Sequence, residues 1–187
     1  MKNTYDLDNN SNYIRALEGG DLEIARNLLH KYPYLINAIG PSGQSTLHYA
    51  ALWGDIVWLK DLLQHFPEKI SERDNDGYSI FHQAVIGDEI KIVQYLYPLN
   101  HGFLIEQDND GNTAFSLAVQ HSNLSMAVFF LELNPTLLNT EEPNAELCFG
   151  SPMGNSAQEM VDFLLSKNSN IIFLDLDISG HSQENAD

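Results

Sequence analysis

Two acidic loops and one thiol are the places where this sequence has the residue types for chemistry. Glu72, Asp74, Asp76 and Gly77 open like a calcium loop, and Glu106, Asp108, Asp110 and Gly111 repeat the arrangement. A calcium loop of that kind closes with a bidentate glutamate at its twelfth position. Here that position holds Gln83 in the first loop and Leu117 in the second. The acids therefore read as turn residues, because Asp and Asn side chains bond their own backbone and Gly tolerates a positive φ. Of the seven histidines, His48 and His82 share a register, 34 residues apart. A position that recurs with a fixed period serves the fold before it serves catalysis, and the other histidines lack metal-ligand spacing. Cys148 stands beside Phe149 with no histidine in its own segment. Its expected state is a buried thiol, since a nucleophile there would need a base from elsewhere. No glycine-rich phosphate cradle is present. The chain is expected to be no enzyme and to hold no cofactor and no metal. An enzyme using Cys148 as nucleophile is the alternative.

The elements that must position these residues are repeats. The stretch DNDGYSIFHQAVIGDEIKIVQYLY starts at Asp74; DNDGNTAFSLAVQHSNLSMAVFFL starts 34 residues later, at Asp108. Thirty-four residues before the first, GPSGQSTLHYAALWGDIVWLKDLL starts at Gly40. Glycines recur at Gly43, Gly77 and Gly111, and alanines at Ala16, Ala50, Ala84 and Ala118. A period of this length marks a solenoid. Each unit opens on turn chemistry, then offers Ser45, Ser79 or Thr113 as a helix N-cap. Leu47, Phe81 and Phe115 point a large apolar group inward, and the alanines let two helices approach closely. A second helix carries an apolar stripe at helical spacing: Trp58, Leu59, Leu62 and Leu63 in one copy, Ile92, Val93 and Leu96 in the next.

Gly43 to Ala50 reads GQSTLHYA, Gly77 to Ala84 reads GYSIFHQA and Gly111 to Ala118 reads GNTAFSLA. In these stretches the chain resembles the ankyrin repeat family, whose motif runs Gly, x, Thr, Pro, Leu, His, x, Ala. The motif's Pro is replaced by Thr46, Ile80 and Ala114, and its last His by Ser116. The resemblance implies an all-α fold, an ankyrin solenoid of about five helix-turn-helix repeats joined by β-hairpin-like turns. Residues 1–11 are expected to be a flexible start. The repeat domain is expected over 12–168, with repeats near 12–39, 40–73, 74–107, 108–139 and 140–168. The first lacks its Gly turn but keeps Ile24, Ala25, Leu28 and Leu29 in register, which reads as a cap. The last is eccentric from Glu141 to Asn155, with Pro152 in the alanine position between Gly150 and Gly154, but Met160, Val161, Leu164 and Leu165 keep register. Residues 169–187 form an acidic tail whose apolar start is expected to cover the end of the stack.

The family binds other proteins through a concave face of hairpin tips and inner helices. Carried over by position, that face is Ile39, Pro41, Ser42, Gln44, Leu52 and Trp53 in the second repeat. It continues as Arg73, Asn75, Asp76, Tyr78 and Ile86 in the third. In the fourth it is Gln107, Asn109, Asp110, Asn112, Gln120 and His121. The fold is not expected to need most of these identities. Trp53 is read either as a binding residue or as a groove residue packed on Tyr49 or Ile86.

Composition narrows the partner. The 187 residues, 43% apolar, suit one domain with its own core. Formal charge is −17, of which −12 falls on residues 92–187, where Lys167 is the one lysine or arginine. Such a surface repels phosphate backbones, so nucleic acid is not an expected partner. The surplus charge reads first as a means of solubility, and otherwise as attraction to a basic partner over the C-terminal half. No run suits a bilayer span, and the start, MKNTYDLDNNSNY, has no signal-peptide core. The expected protein is a cytoplasmic monomer with no membrane contact. It acts as an adaptor or inhibitor by binding a partner protein, one with a basic surface among the possibilities. A bacterial effector delivered into a host cell is the alternative.

Overall fold

Helices begin where the sequence supplies caps. The computed structural model describes residues 4–138 and 156–167. Inner helices α3 (Thr46–Leu52), α5 (Ile80–Ile86) and α7 (Ala114–Gln120) each start directly after Ser45, Ser79 and Thr113. The third residue of each helix answers the cap. The backbone amides of Ser45 and Ser79 donate to His48 Nδ1 and His82 Nδ1, both at 3.2 Å. The amide of Thr113 donates to Ser116 Oγ at 2.8 Å. These are reciprocal capping boxes in which histidine, and once serine, replaces the usual acid or amide. The periodic histidines are thereby structural, as their recurrence indicated.

Each inner helix has an antiparallel outer partner. The outer helices are α2 (Leu22–Lys31), α4 (Ile56–His65), α6 (Ile90–Leu96) and α8 (Leu124–Leu133). Short 3-10 turns follow them at Pro33–Asn37, Pro67–Ser71, His101–Leu104 and Pro135–Leu138, three of the four opened by proline. Helices of seven residues are marginal alone, so packing against neighbouring repeats holds them. Leu47, Phe81, Phe115, Ala50, Ala84 and Ala118 are all fully buried. The Phe81 ring stacks on Phe103 with centroids 5.1 Å apart and tilts against Phe130 at 5.9 Å. Tyr13 Oη shares a 2.8 Å hydrogen bond with Thr46 Oγ1. Thr46, which stands in the motif's Pro position, thus ties the first repeat to the second. Among the described residues no sheet forms, but isolated antiparallel bridges join Arg73 to Ser79 and Gln107 to Thr113 at the tips.

The ends depart from the sequence reading. The first inner helix, α1 (Thr4–Glu18), starts well before the boundary drawn at residue 12 and covers much of the stretch read as a flexible start. Its later turns bury Tyr13, Ile14 and Leu17, which gives that end its own core. Ile24, expected on the core stripe, is 52% exposed. Its counterpart Trp58 is buried, with Arg26 of the preceding repeat over its ring; among the described residues no earlier repeat lies against Ile24. At the other end, α9 (Ala157–Lys167) buries Met160, Val161 and Leu164, while Leu165 is exposed. Leu63, its equivalent three repeats earlier in the stack, is buried. The readings of Glu141 to Asn155, of Cys148 and of the 169–187 tail lie outside the described residues.

The alanine positions admit a direct check. Ala84 is fully enclosed between α3, α5 and α7. Ala84→Leu is expected to cost about 1–3 kcal/mol through overpacking, read as a lower midpoint in urea. An unchanged midpoint would show the register to be wrong.

Candidate functional site

The acidic loops are hydrogen-bonded from within. Asp74 Oδ1 accepts from the amides of Asp76 at 3.1 Å and Tyr78 at 2.8 Å, and its Oδ2 accepts from Gln83 Nε2 at 3.0 Å. Asp108 repeats this with the amides of Asp110 at 2.9 Å and Asn112 at 2.7 Å, and with Asn112 Nδ2 at 2.9 Å. These carboxylates serve their own turns. Gly77 closes the tip at φ +82, and a Cβ there would come within 2.8 Å of the Asn109 amide nitrogen. Among the described residues no group of three His, Cys, Asp or Glu side chains is arranged to hold a metal ion.

Successive tips are stitched to one another. The Asn75 amide donates to the Ser42 carbonyl at 2.9 Å, and the Asn109 amide to the Asp76 carbonyl at 2.9 Å. Asn109 Nδ2 adds a bond to the Asn75 carbonyl at 2.8 Å. Arg73 Nη1 donates to the carbonyls of Gly77 at 2.7 Å and Gln107 at 3.1 Å, and its Nη2 pairs with Glu106 at 3.1 Å. Gln120 Nε2 donates to Asn112 Oδ1 at 2.8 Å. The fold was expected not to need most of these side chains, and five of them are nevertheless tied into it. Arg73, Asn75, Asn109, Asn112 and Gln120 join or brace the tips, and the spacing of 34 that placed them side by side made the ladder possible.

The inner-helix residues fall into two groups. Trp53 donates its Nε1 to the Leu17 carbonyl at 2.8 Å, and its ring lies over Gly20. It therefore packs on the preceding repeat and still leaves 45% of its surface exposed. Leu52, Tyr78 and Ile86 are half-buried, as is Gln44, whose Oε1 accepts a long bond from Tyr49 Oη at 3.4 Å. Ile39, Pro41, Ser42, Asp76, Gln107, Asp110 and His121 are exposed. One contributor was not singled out from sequence. A Cβ on Gly87 would come within 2.1 Å of the Leu52 carbonyl oxygen, so its glycine lets α5 close against α3. The available signal was its register with Trp53, a bulky residue where Gly87 has none.

Charge accumulates along the tips. Burial raises the Tyr78 hydroxyl above its ordinary pKa, and Asp108, Asp76, Asp110 and Asp74 push it further in the same direction. Burial, with Glu18 and Asp74 beside it, lifts Tyr49 to about 12. Both phenols stay protonated at neutral pH under a negative field. The arrangement is a braced acidic edge with one large aromatic face at its second repeat.

A family model described as ankyrin repeats, in three copies, matches residues 13–106 and 59–142. No curated protein matches the chain. Among 236 matching solved chains is one from the complex of a predatory endopeptidase of Bdellovibrio bacteriovorus with an immunity protein. It is 26% identical over 84% of this chain and 81% of its own length, with a TM-score of 0.58.

Proposed function

The chain belongs to the ankyrin repeat family, a protein-interaction scaffold, and from that premise we propose that it acts by binding one partner protein across its hairpin tips and inner helices, without catalysis. The observation that carries this reading is the stitched row of tips. A surface whose polar groups already bond one another loses little freedom when a partner docks, so more of the contact energy appears as affinity. Trp53 supplies the kind of large aromatic face that dominates interface energy. Asp76 and Asp110 supply carboxylates that suit a partner with a basic surface, through charge steering.

Of the two roles open to such a binder, adaptor and inhibitor, we favour inhibitor. The supporting observation is the similar chain from an endopeptidase–immunity protein complex. We place the protein inside its cell as a monomer. Among the described residues no helix is long and apolar enough to cross a membrane.

The test is affinity capture with mass spectrometry, followed by titration of the captured partner. Trp53→Ala with Tyr78→Ala is expected to weaken binding by at least about 2 kcal/mol. Because Trp53 also holds Leu17, melting curves must accompany the titration. Retained affinity in a folded double variant would move the site off this face. Asp76→Asn with Asp110→Asn is expected to slow association and flatten its salt dependence while leaving dissociation nearly unchanged.

A further inference from the structure

The outer helices carry a charge opposite to that of the chain. In a protein of formal charge −17, α2, α4 and α6 bear Arg26, Lys31, Lys60 and Lys91 against Glu23 and Asp61. A groove of about 500 Å³ lies between α4 and α6, among residues of these helices and of the turns that follow them. Leu63, Pro67, Ile70 and Leu99 form its apolar wall, and Leu99 is 52% exposed. Gln64 and Tyr95 add neutral polar groups, and Lys60 is the one charged residue in the lining.

Two comparable grooves show the contrast. Between α2 and α4, Arg26 already pairs with Asp55, and Asp61 stands in the lining beside it. Between α8 and α9, Glu132 accompanies Lys167. Asp61 follows Lys60 in the chain but lines the α2–α4 groove, where it lies 3.5 Å from His65. Lys60 Nζ instead sits 4.8 Å from the Tyr95 ring centroid, which holds the ammonium against the groove. Lys91 stands one turn before Tyr95 on α6, a spacing that shares a helix face, and it is exposed. Among the described residues neither lysine pairs with a carboxylate. An apolar wall is thus bordered by two uncompensated cations. A carboxylate brought there is partly shielded from water, so its attraction to them is screened less than on open surface.

We propose that the α4–α6 groove is a second docking surface, for a partner-protein segment in which apolar side chains alternate with Asp or Glu. The apolar groups cover Leu63, Ile70 and Leu99, and the carboxylates meet Lys60 and Lys91. A phosphate backbone offers nothing apolar to that wall, and the chain's net charge repels it. The groove prefers the charge opposite to the one the tips prefer, and it does not depend on what binds there.

The probes are two acetylated, amidated peptides, Leu-Glu-Phe-Glu-Leu and Leu-Lys-Phe-Lys-Leu, titrated into the full chain. The readouts are methyl NMR signals of Leu63, Ile70 and Leu99 and ring signals of Tyr95. The glutamate peptide should shift them, binding at least about tenfold more tightly than the lysine peptide, and less tightly at high salt. Lys60→Glu with Lys91→Glu should reverse the order of the two peptides. Both lysines are exposed, so the fold should survive, with the signals of Trp53 and Phe81 in place. Leu99→Ser, which leaves the charges alone, should weaken the glutamate peptide as well. Equal binding of the two peptides, or shifts confined to another face, would overturn the proposal. So would equal shifts from polyglutamate or a short DNA duplex, which would show a site for charge alone. Groove signals that move when the free chain is diluted would also overturn it, by identifying a second copy as the occupant.

Discussion

Phe81→Ala is expected to lower the unfolding free energy by about 3–5 kcal/mol, the range for emptying a buried phenylalanine site. Phe81 sits in the third repeat with no exposed surface. Its ring contacts Phe103 in the turn after α6 and Phe130 in α8. It therefore joins its own repeat to the next, and a solenoid is stable only as the sum of such neighbour contacts. Neither aromatic partner can collapse fully into the space, because each is held in a different element. The measurement is urea unfolding followed by circular dichroism and, separately, by fluorescence of Trp53 and Trp58 in the second repeat. The two transitions should separate in the variant, with the fourth repeat lost first. A loss below about 1 kcal/mol would mean that the ring is not shared between repeats, since even one methylene removed from a core costs that much.

The second large effect depends on pH. Burial pushes His82 down to about 4 from its ordinary value of 6.5; Arg73 pushes the same way, while Asp108 and the Glu106 carbonyl oppose it. His82 Nε2 is buried without a hydrogen-bond partner, although the Glu106 carbonyl is close enough to act on its charge. Nδ1 accepts the Ser79 amide at 3.2 Å and lies 3.0 Å from Ser79 Oγ. Protonation would turn that acceptor into a donor facing an amide N–H. The folded chain thus binds a proton on this ring less readily than the unfolded chain. Stability from this ring is complete above pH 6.5 and falls as pH drops toward 4. Below about 4 no more is lost from it. The full loss is about 3 kcal/mol, from the width of that window. His48 is lowered in the same direction, burial being the main cause. An NMR titration of the imidazole signals checks this. An inflection for His82 near 6.5 would show that the ring is not held neutral by the fold.

Periodic contacts were legible in advance because they depend on residue type and register alone. The Ser45, Ser79 and Thr113 caps, the buried alanines and the Leu47, Phe81 and Phe115 row all follow from spacing, since the same local geometry recurs wherever the same residues do. The ends were not legible to the same degree. Ile24 carries the core pattern yet lies open, because burial at that position needs a preceding repeat. The tip residues were placed on one edge, but the bracing roles of Arg73, Asn75 and Asn109 could not be read from a single repeat. Asn75 and Asn109 are ordinary turn residues within a repeat and become cross-links only when another tip lies beside them.

By itself, then, the order of residues determined the repeat, its caps, its buried face and the alignment of its hairpin tips. Those properties are set by contacts within one unit and by their recurrence. Tertiary structure decided which of the aligned side chains are spent on the stack and which face outward. Trp53 reaches back 36 residues to Leu17, Gly87 makes room for the Leu52 carbonyl, and Arg73 bridges to Gln107. Each is a contact between neighbouring units, fixed by how closely one repeat settles on the next, and that distance is a property of the packed whole.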